Sequence, residues 1–198
     1  DVLVNNAGLF TADYRETADG HEMQFGVNHL SHFLLTNLLL DKIKAAPQGR
    51  IINVSSIAHF FGALDFNDFH HKKNYFGLRT YAQTKAANVL FTKELDRRLR
   101  AEGNESVTVN CLHPGAVGTN FGGQSTNFFI DTFWQVASHF MLSPAKGAAT
   151  SIYLASEEKL STVSGKYFDN CKIKTPSSYV RKSEPARRLW EVSEELVN

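Results

Sequence analysis

The stretch "RIINVSS", residues 50–56, is a largely apolar run that stops at two serines. A run of this length without apolar–polar alternation suits a strand covered on both faces. Two further stretches end in the same manner. "VLVNNAG", residues 2–8, passes from apolar residues into amides and a glycine, and "VTVNCLHPG", residues 107–115, breaks at Pro114-Gly115. "GKYFD", residues 165–169, reads as a last short strand. Helical patterns lie between them. Residues 21–46 place Val27, Leu30, Leu34 and Leu38 at helical spacing ahead of Pro47 and Gly49. A second helix carries Tyr81 and runs to about Glu102, where "EGNES" stops it. Residues 143–156 form a third, with Ser143 as N-cap and Pro144 at the first helical position, and Ser183 caps a final one. Strands separated by helices predict an α/β fold, a Rossmann-type doubly wound parallel sheet, as one domain over residues 1–198.

The composition sets limits on function. A chain of 198 residues, 42% hydrophobic and 21% charged, is an ordinary globular domain with a core. A net charge of +1 offers no basic field for nucleic acid or an anionic membrane. Cys111 and Cys171 show neither a CxxC nor a ligand spacing, which fits a reduced, intracellular protein. His29 and His32, and the pair His70-His71, lack convergent cysteines or carboxylates, so packing or surface roles are expected and no metal. The most apolar run, "HFLLTNLLL", is far shorter than the roughly 20 residues of a membrane span. The sequence opens inside a strand without an initiator methionine. It therefore reads as a fragment whose N-terminal strands are missing, so any anchor upstream is unread.

In open parallel sheets, ligands bind beyond the carboxyl ends of the strands. Those ends carry Asn5, Asn6, Ala7 and Gly8, then Ser55 and Ser56, then His113, Pro114 and Gly115. The helix joining the second and third of these strands places Tyr81 and Lys85 one turn apart on one face. Bringing a phenol from near 10 to neutrality takes about 4 kcal/mol. An ammonium about 4 Å away, at an effective dielectric of about 20, supplies about that much. Tyr81 is thus a candidate general acid–base, with Lys85 tuning it.

"NNAG", Asn28 in the following helix, "VSS", "YAQTK" and "HPG", in that order, resemble the short-chain dehydrogenase/reductase family. "DVLVNNAG", "TADGHEMQFGVNHLSHFLLT", "RIINVSSIAH", "AQTKAANVLFTKEL", "VNCLHPGAVGT" and "SGKYFDNCK" resemble its retinol dehydrogenase-like branch almost end to end, including the long separation of Ser56 from Tyr81. The resemblance implies catalytic roles. Tyr81 would pass a proton to the carbonyl oxygen, Lys85 would lower the tyrosine's pKa and hold the nicotinamide ribose, and Ser56 would bind the substrate oxygen. Asn28 would hold a water linking Lys85 to solvent. It also implies that Asn6, Ala7 and Gly8 pack along the adenosine side of the coenzyme, with Pro114, Gly115, Val117 and Thr119 shaping the nicotinamide pocket. The coenzyme would be NADP, with NAD as the alternative.

The departure from the family's pattern is the glycine-rich pyrophosphate turn, which this sequence does not contain. The function expected is hydride transfer between NAD(P)H and a carbonyl or alcohol on a small apolar substrate, retinoid-like or a lipid aldehyde. A steroid or xenobiotic carbonyl reductase is the nearby alternative, and a non-catalytic binding module of the same fold the distant one. A homo-oligomer is left open. The expected location is the cytoplasm, or the cytosolic face of the endoplasmic reticulum if an upstream anchor exists. The apolar stripe from Phe128 to Met141 reads equally as core or as a lid over the substrate.

Overall fold

A computed structural model describes residues 1–68, 75–115 and 143–197. Val117, Thr119, His70, His71 and the apolar stripe from Phe128 to Met141 lie outside the described residues. The strands are β1 (Val2–Asn5), β2 (Gly49–Val54), β3 (Val107–His113), β4 (Tyr167–Asp169) and β5 (Lys172–Lys174). They form one sheet in the order β1-β2-β3-β4-β5. The first four are parallel, and β5 pairs antiparallel with β4. The helices are α1 (Met23–Phe25), α2 (Ser31–Lys44), α3 (Gly77–Ala101), α4 (Pro144–Ser156) and α5 (Ser183–Val197).

Side chains alternate across the buried strands and so feed apolar clusters on both faces of the sheet. Ile51, Val107 and Val109 pack with Phe33 of α2, Phe91, Leu95 and Leu99 of α3 and Trp190 of α5. Ile52, Val54 and Leu112 face the other way, onto Leu154 of α4, Leu160 and Phe168. Helices therefore cover both faces, as a doubly wound sheet requires. Arg50 stands in a fully buried strand because its guanidinium donates to the carbonyls of Leu154 and Glu157, at 3.0 and 2.9 Å, at the end of α4.

Two expectations need correction. Residues 21–46 are not one continuous helix. A π-helical turn, Gly26–Leu30, separates α1 from α2, and the Ser31 amide reaches back to the Gly26 carbonyl. One extra residue in a turn rotates everything after it by about a quarter of a revolution. The face of α2 turned inward is therefore His32, Phe33, Thr36 and Ile43, while Leu34 and Leu38, at helical spacing with the buried Leu30, are exposed. The sheet also has a strand the sequence did not announce. Asn170 and Cys171, both with positive φ, make a tight hairpin that brings β5 back along β4.

Polar side chains lock β1 and β2 to the helices above them. Asn5 donates to Thr36 Oγ1 at 2.9 Å and to Asn53 Oδ1 at 2.8 Å, and Asn53 donates to Thr92 Oγ1 at 2.9 Å. These bonds are buried and join α2, β1, β2 and α3 just below the strand ends.

Candidate active site

The ends of β1 and β2 meet the flank of α3. After β1, Asn6, Ala7 and Gly8 are exposed. The chain then turns, and the Asn28 carboxamide grips it from both sides. Asn28 Oδ1 accepts from the Leu9 amide at 2.8 Å, and Asn28 Nδ2 donates to the Leu9 carbonyl at 2.9 Å. The same Nδ2 donates to Thr84 Oγ1 at 3.2 Å. The π-helical turn is what presents this asparagine. A Cβ placed on Gly8 would stand 3.3 Å from Asn28 Oδ1 and 3.5 Å from Lys85 Nζ, so the β1 loop lies directly over the lysine.

Ser55 and Ser56 divide their work. Ser55 is buried and donates to the Lys85 carbonyl at 2.7 Å, tying β2 to α3. Ser56, in extended conformation, starts the 3-10 turn Ile57–Phe61 and accepts from the Ala58 amide at 3.2 Å. Its hydroxyl also acts on the Tyr81 phenol, in the direction that lowers the phenol's pKa. Lys85 is buried, with Nζ 5.5 Å from the centre of the Tyr81 ring and its one hydrogen bond among the described residues to the Val54 carbonyl, at 3.3 Å. Phe10 meets Tyr81 edge-on, with ring centres 6.2 Å apart. Ser56, Tyr81, Lys85 and Asn28 thus lie together where the ends of β1 and β2 meet α3. Pro114 and Gly115, the latter with φ of 84°, follow β3 and are half-buried.

The electrostatics differ from the expectation. Burial pushes the Tyr81 phenol up to about 12, with the Ser56 hydroxyl pulling weakly the other way. Burial also lowers the Lys85 ammonium to about 8. In the protein alone, loss of hydration outweighs the pull of an ammonium that lies over the ring. At neutral pH Tyr81 is a phenol and Lys85 an ammonium. This pair is set to give a proton, with Lys85 close to its own titration.

One residue near the site carried no signal in the sequence reading. The buried His59 bonds through Nδ1 to the Ser56 carbonyl, at 2.7 Å. His29 and His32 are also buried, and desolvation lowers them to about 3 and about 4. Among the described residues, no three His, Cys, Asp or Glu side chains gather to hold a metal. No helix there is long and apolar enough to cross a membrane.

A nicotinamide coenzyme fits the residues present at this end of the sheet. Lys85 has N–H groups left after its single bond, and the exposed Asn6–Gly8 loop lies beside them.

Comparison with known proteins agrees with the geometry. The family model described as short chain dehydrogenase matches residues 1–128. Human retinol dehydrogenase 13 is 48% identical over 202 residues, covering 100% of this chain and 60% of that protein. Human retinol dehydrogenase 14 is 46% identical over 199 residues, covering 100% of this chain and 58% of that protein. The chain spans about three-fifths of the length of these relatives. Among solved structures, an uncharacterised protein from Mycobacterium paratuberculosis is similar at 33% identity with a TM-score of 0.76, over 99% of this chain and 66% of that one. The NADPH-bound carbonyl reductase from chicken fatty liver shares the fold at 22% identity with a TM-score of 0.56, over 87% of this chain and 64% of that one. The chain belongs to the short-chain dehydrogenase family, and its sequence relatives there include retinol dehydrogenases.

Proposed function

We propose that the protein carrying this chain interconverts an alcohol and a carbonyl on a small apolar, retinoid-like substrate with NADP(H), NAD(H) being the alternative coenzyme. The observation that carries this reading is the buried Lys85 ammonium 5.5 Å from the centre of the Tyr81 ring, with the Ser56 hydroxyl acting on the same phenol. The coenzyme, when bound, supplies or accepts the hydride. In the reducing direction the Tyr81 phenol gives its proton to the substrate oxygen while Ser56 holds that oxygen. The Lys85 ammonium stabilises the charge left on Tyr81 and binds ribose hydroxyls. The Asn28 carboxamide is occupied by Leu9 and Thr84, so its side chain fixes the loop over Lys85. A water leading to Lys85 would sit at the Asn28 backbone. Asn6, Ala7 and Gly8 would line the adenosine side, and Pro114 and Gly115, with Val117 and Thr119, the nicotinamide side.

The rim supports an apolar substrate. Ile57, Phe60 and Phe61, just after Ser56, and Phe76 and Leu78, just before Tyr81, are exposed. Relatives named retinol dehydrogenase support the retinoid-like choice. A scaffold without chemistry would have no use for a buried ammonium, bonded among the described residues only to the Val54 carbonyl, beside a half-buried phenol. We place the protein inside the cell, in the cytoplasm or at the cytosolic face of the endoplasmic reticulum. The test is turnover by the complete protein of retinaldehyde, a medium-chain aldehyde and an aldose, with NADPH and NADH in parallel. Reduction of the apolar aldehydes in preference to the sugar is expected. Turnover of the aldose alone, or of none of the three, would contradict the reading.

A further inference from the structure

The Ser56 carbonyl is held twice by one residue. It accepts from the His59 amide at 3.1 Å and bonds His59 Nδ1 at 2.7 Å. On the far side of the ring, His59 Nε2 meets the Ser177 amide at 3.2 Å. These partners fix the tautomer. A carbonyl can only accept, so Nδ1 carries the proton, and a backbone amide can only donate, so Nε2 is bare. Burial favours this neutral form and lowers the pKa of His59. The ring is clamped between Phe60 and Tyr167, with ring centres 4.2 and 4.8 Å away. The segment that Ser177 begins also holds the same loop further on, where Tyr179 Oη accepts from the Leu64 amide at 3.2 Å. Ser56 itself stands in extended conformation at the junction of β2 and the 3-10 turn, with its hydroxyl toward Tyr81. The other half of the same peptide plane, the Ile57 amide, donates to His113 Nδ1 at 3.2 Å, so His59 holds the carbonyl and His113 the amide of the plane from which that hydroxyl projects.

We propose that His59 is a positioning residue for Ser56: its Nδ1–H aims the Ser56 hydroxyl at the Tyr81 oxygen, braced through Nε2 by the chain at Ser177. The inference rests on the reading of Ser56 as the group that holds the substrate oxygen. The His59 side-chain bond, the shortest of those on this plane at 2.7 Å, matters because displacement of a reacting group by about 1 Å costs up to about a hundredfold in rate.

Two isosteric variants separate the bonds. His59→Asn keeps an N–H where Nδ1 stood and loses the reach to Ser177. His59→Gln offers a carbonyl to the Ser177 amide where Nε2 stood and loses the donor to Ser56. In the complete protein, His59→Gln is expected to lower kcat by about tenfold or more with KM nearly unchanged, and His59→Asn to stay within about threefold of wild type. Melting temperature is read alongside. Equal loss of kcat in both variants, following their loss of stability, would make His59 purely structural and overturn the proposal. Wild-type kcat in His59→Gln would overturn it too. Ring 15N shifts of His59 give a readout independent of turnover, and a proton on Nε2 would contradict the assigned geometry. A wild-type protein without turnover would instead strike the parent reading of the site.

Discussion

At the scale of single residues, the chemistry depends on a buried lysine and a half-buried tyrosine whose charged forms are both disfavoured. The sequence offered Tyr81 as a phenol whose pKa Lys85 lowers. The structure keeps the pair but reverses the balance, because desolvation is the largest influence on each group. This has a consequence for pH. Lys85 titrates near 8, so its positive charge is present below that pH and lost above it, while Tyr81 stays protonated to about 12. Carbonyl reduction under single-turnover conditions should therefore hold steady from pH 6 to 7 and fall by about tenfold for each pH step beyond about 8 if the ammonium is essential. A profile flat to pH 10 would remove Lys85 from the proton-transfer step.

At the scale of elements, the site is assembled by close backbone approaches that a sequence pattern does not reveal. Gly62 ends the turn that follows Ser56 and lies against α3. A Cβ there would come within 2.0 Å of the Ala82 carbonyl, next to Tyr81. Gly62→Ala should thus cost about 1–3 kcal/mol in denaturant unfolding and lower kcat as well, since Ser56 and Tyr81 are forced apart. Unchanged stability would mean that the loop and helix can separate freely. The strands were legible because β2 and β3 are continuous apolar runs. Ser143 and Glu102, at the ends of α4 and α3, were legible because caps are local chemistry. The π-helical turn was not, because no residue type demands it. With it went the inward face of α2, which is set by the one-residue offset. β5 was hidden because Lys172–Lys174 is fully exposed and reads as surface. His59 was hidden because its second partner lies 118 residues away.

At the scale of the whole molecule, the core holds histidines that must remain neutral. His29 sits wholly inside, its Nε2 2.9 Å from Ser193 Oγ of α5, and His32 lies beside the lysine that lowers it further. In the folded state their pKa values are about 3 and about 4, against an unfolded value near 6.5. Below pH 6.5 the unfolded chain binds protons that the folded chain refuses. Stability is complete above that pH and declines as the pH falls toward the folded values. Each histidine should remove about 2 kcal/mol between pH 7 and pH 5. Urea midpoints across that range test this, and His29→Phe, which no longer titrates, should flatten the slope. A midpoint independent of pH would show that the folded protein accepts these protons. The same molecule leaves one side uncovered. Val2 and Val4 of the edge strand β1 and Leu35 and Leu38 of α2 are exposed at 48%, 40%, 44% and 71%. That flank adjoins the Asn6–Gly8 loop, which the proposed function assigns to the adenosine side of the coenzyme.

All three scales meet in the claim that Tyr81 gives the proton and does little else. Tyr81→Phe in the complete protein tests it most directly, with turnover and coenzyme affinity measured on the same preparation. The ring, its contact with Phe10 and its place under Lys85 survive the change, and only the phenolic oxygen is lost. The account predicts a fall in kcat of about a thousandfold or more, with the coenzyme dissociation constant within about threefold of wild type. A variant that retained most of the wild-type kcat would contradict it.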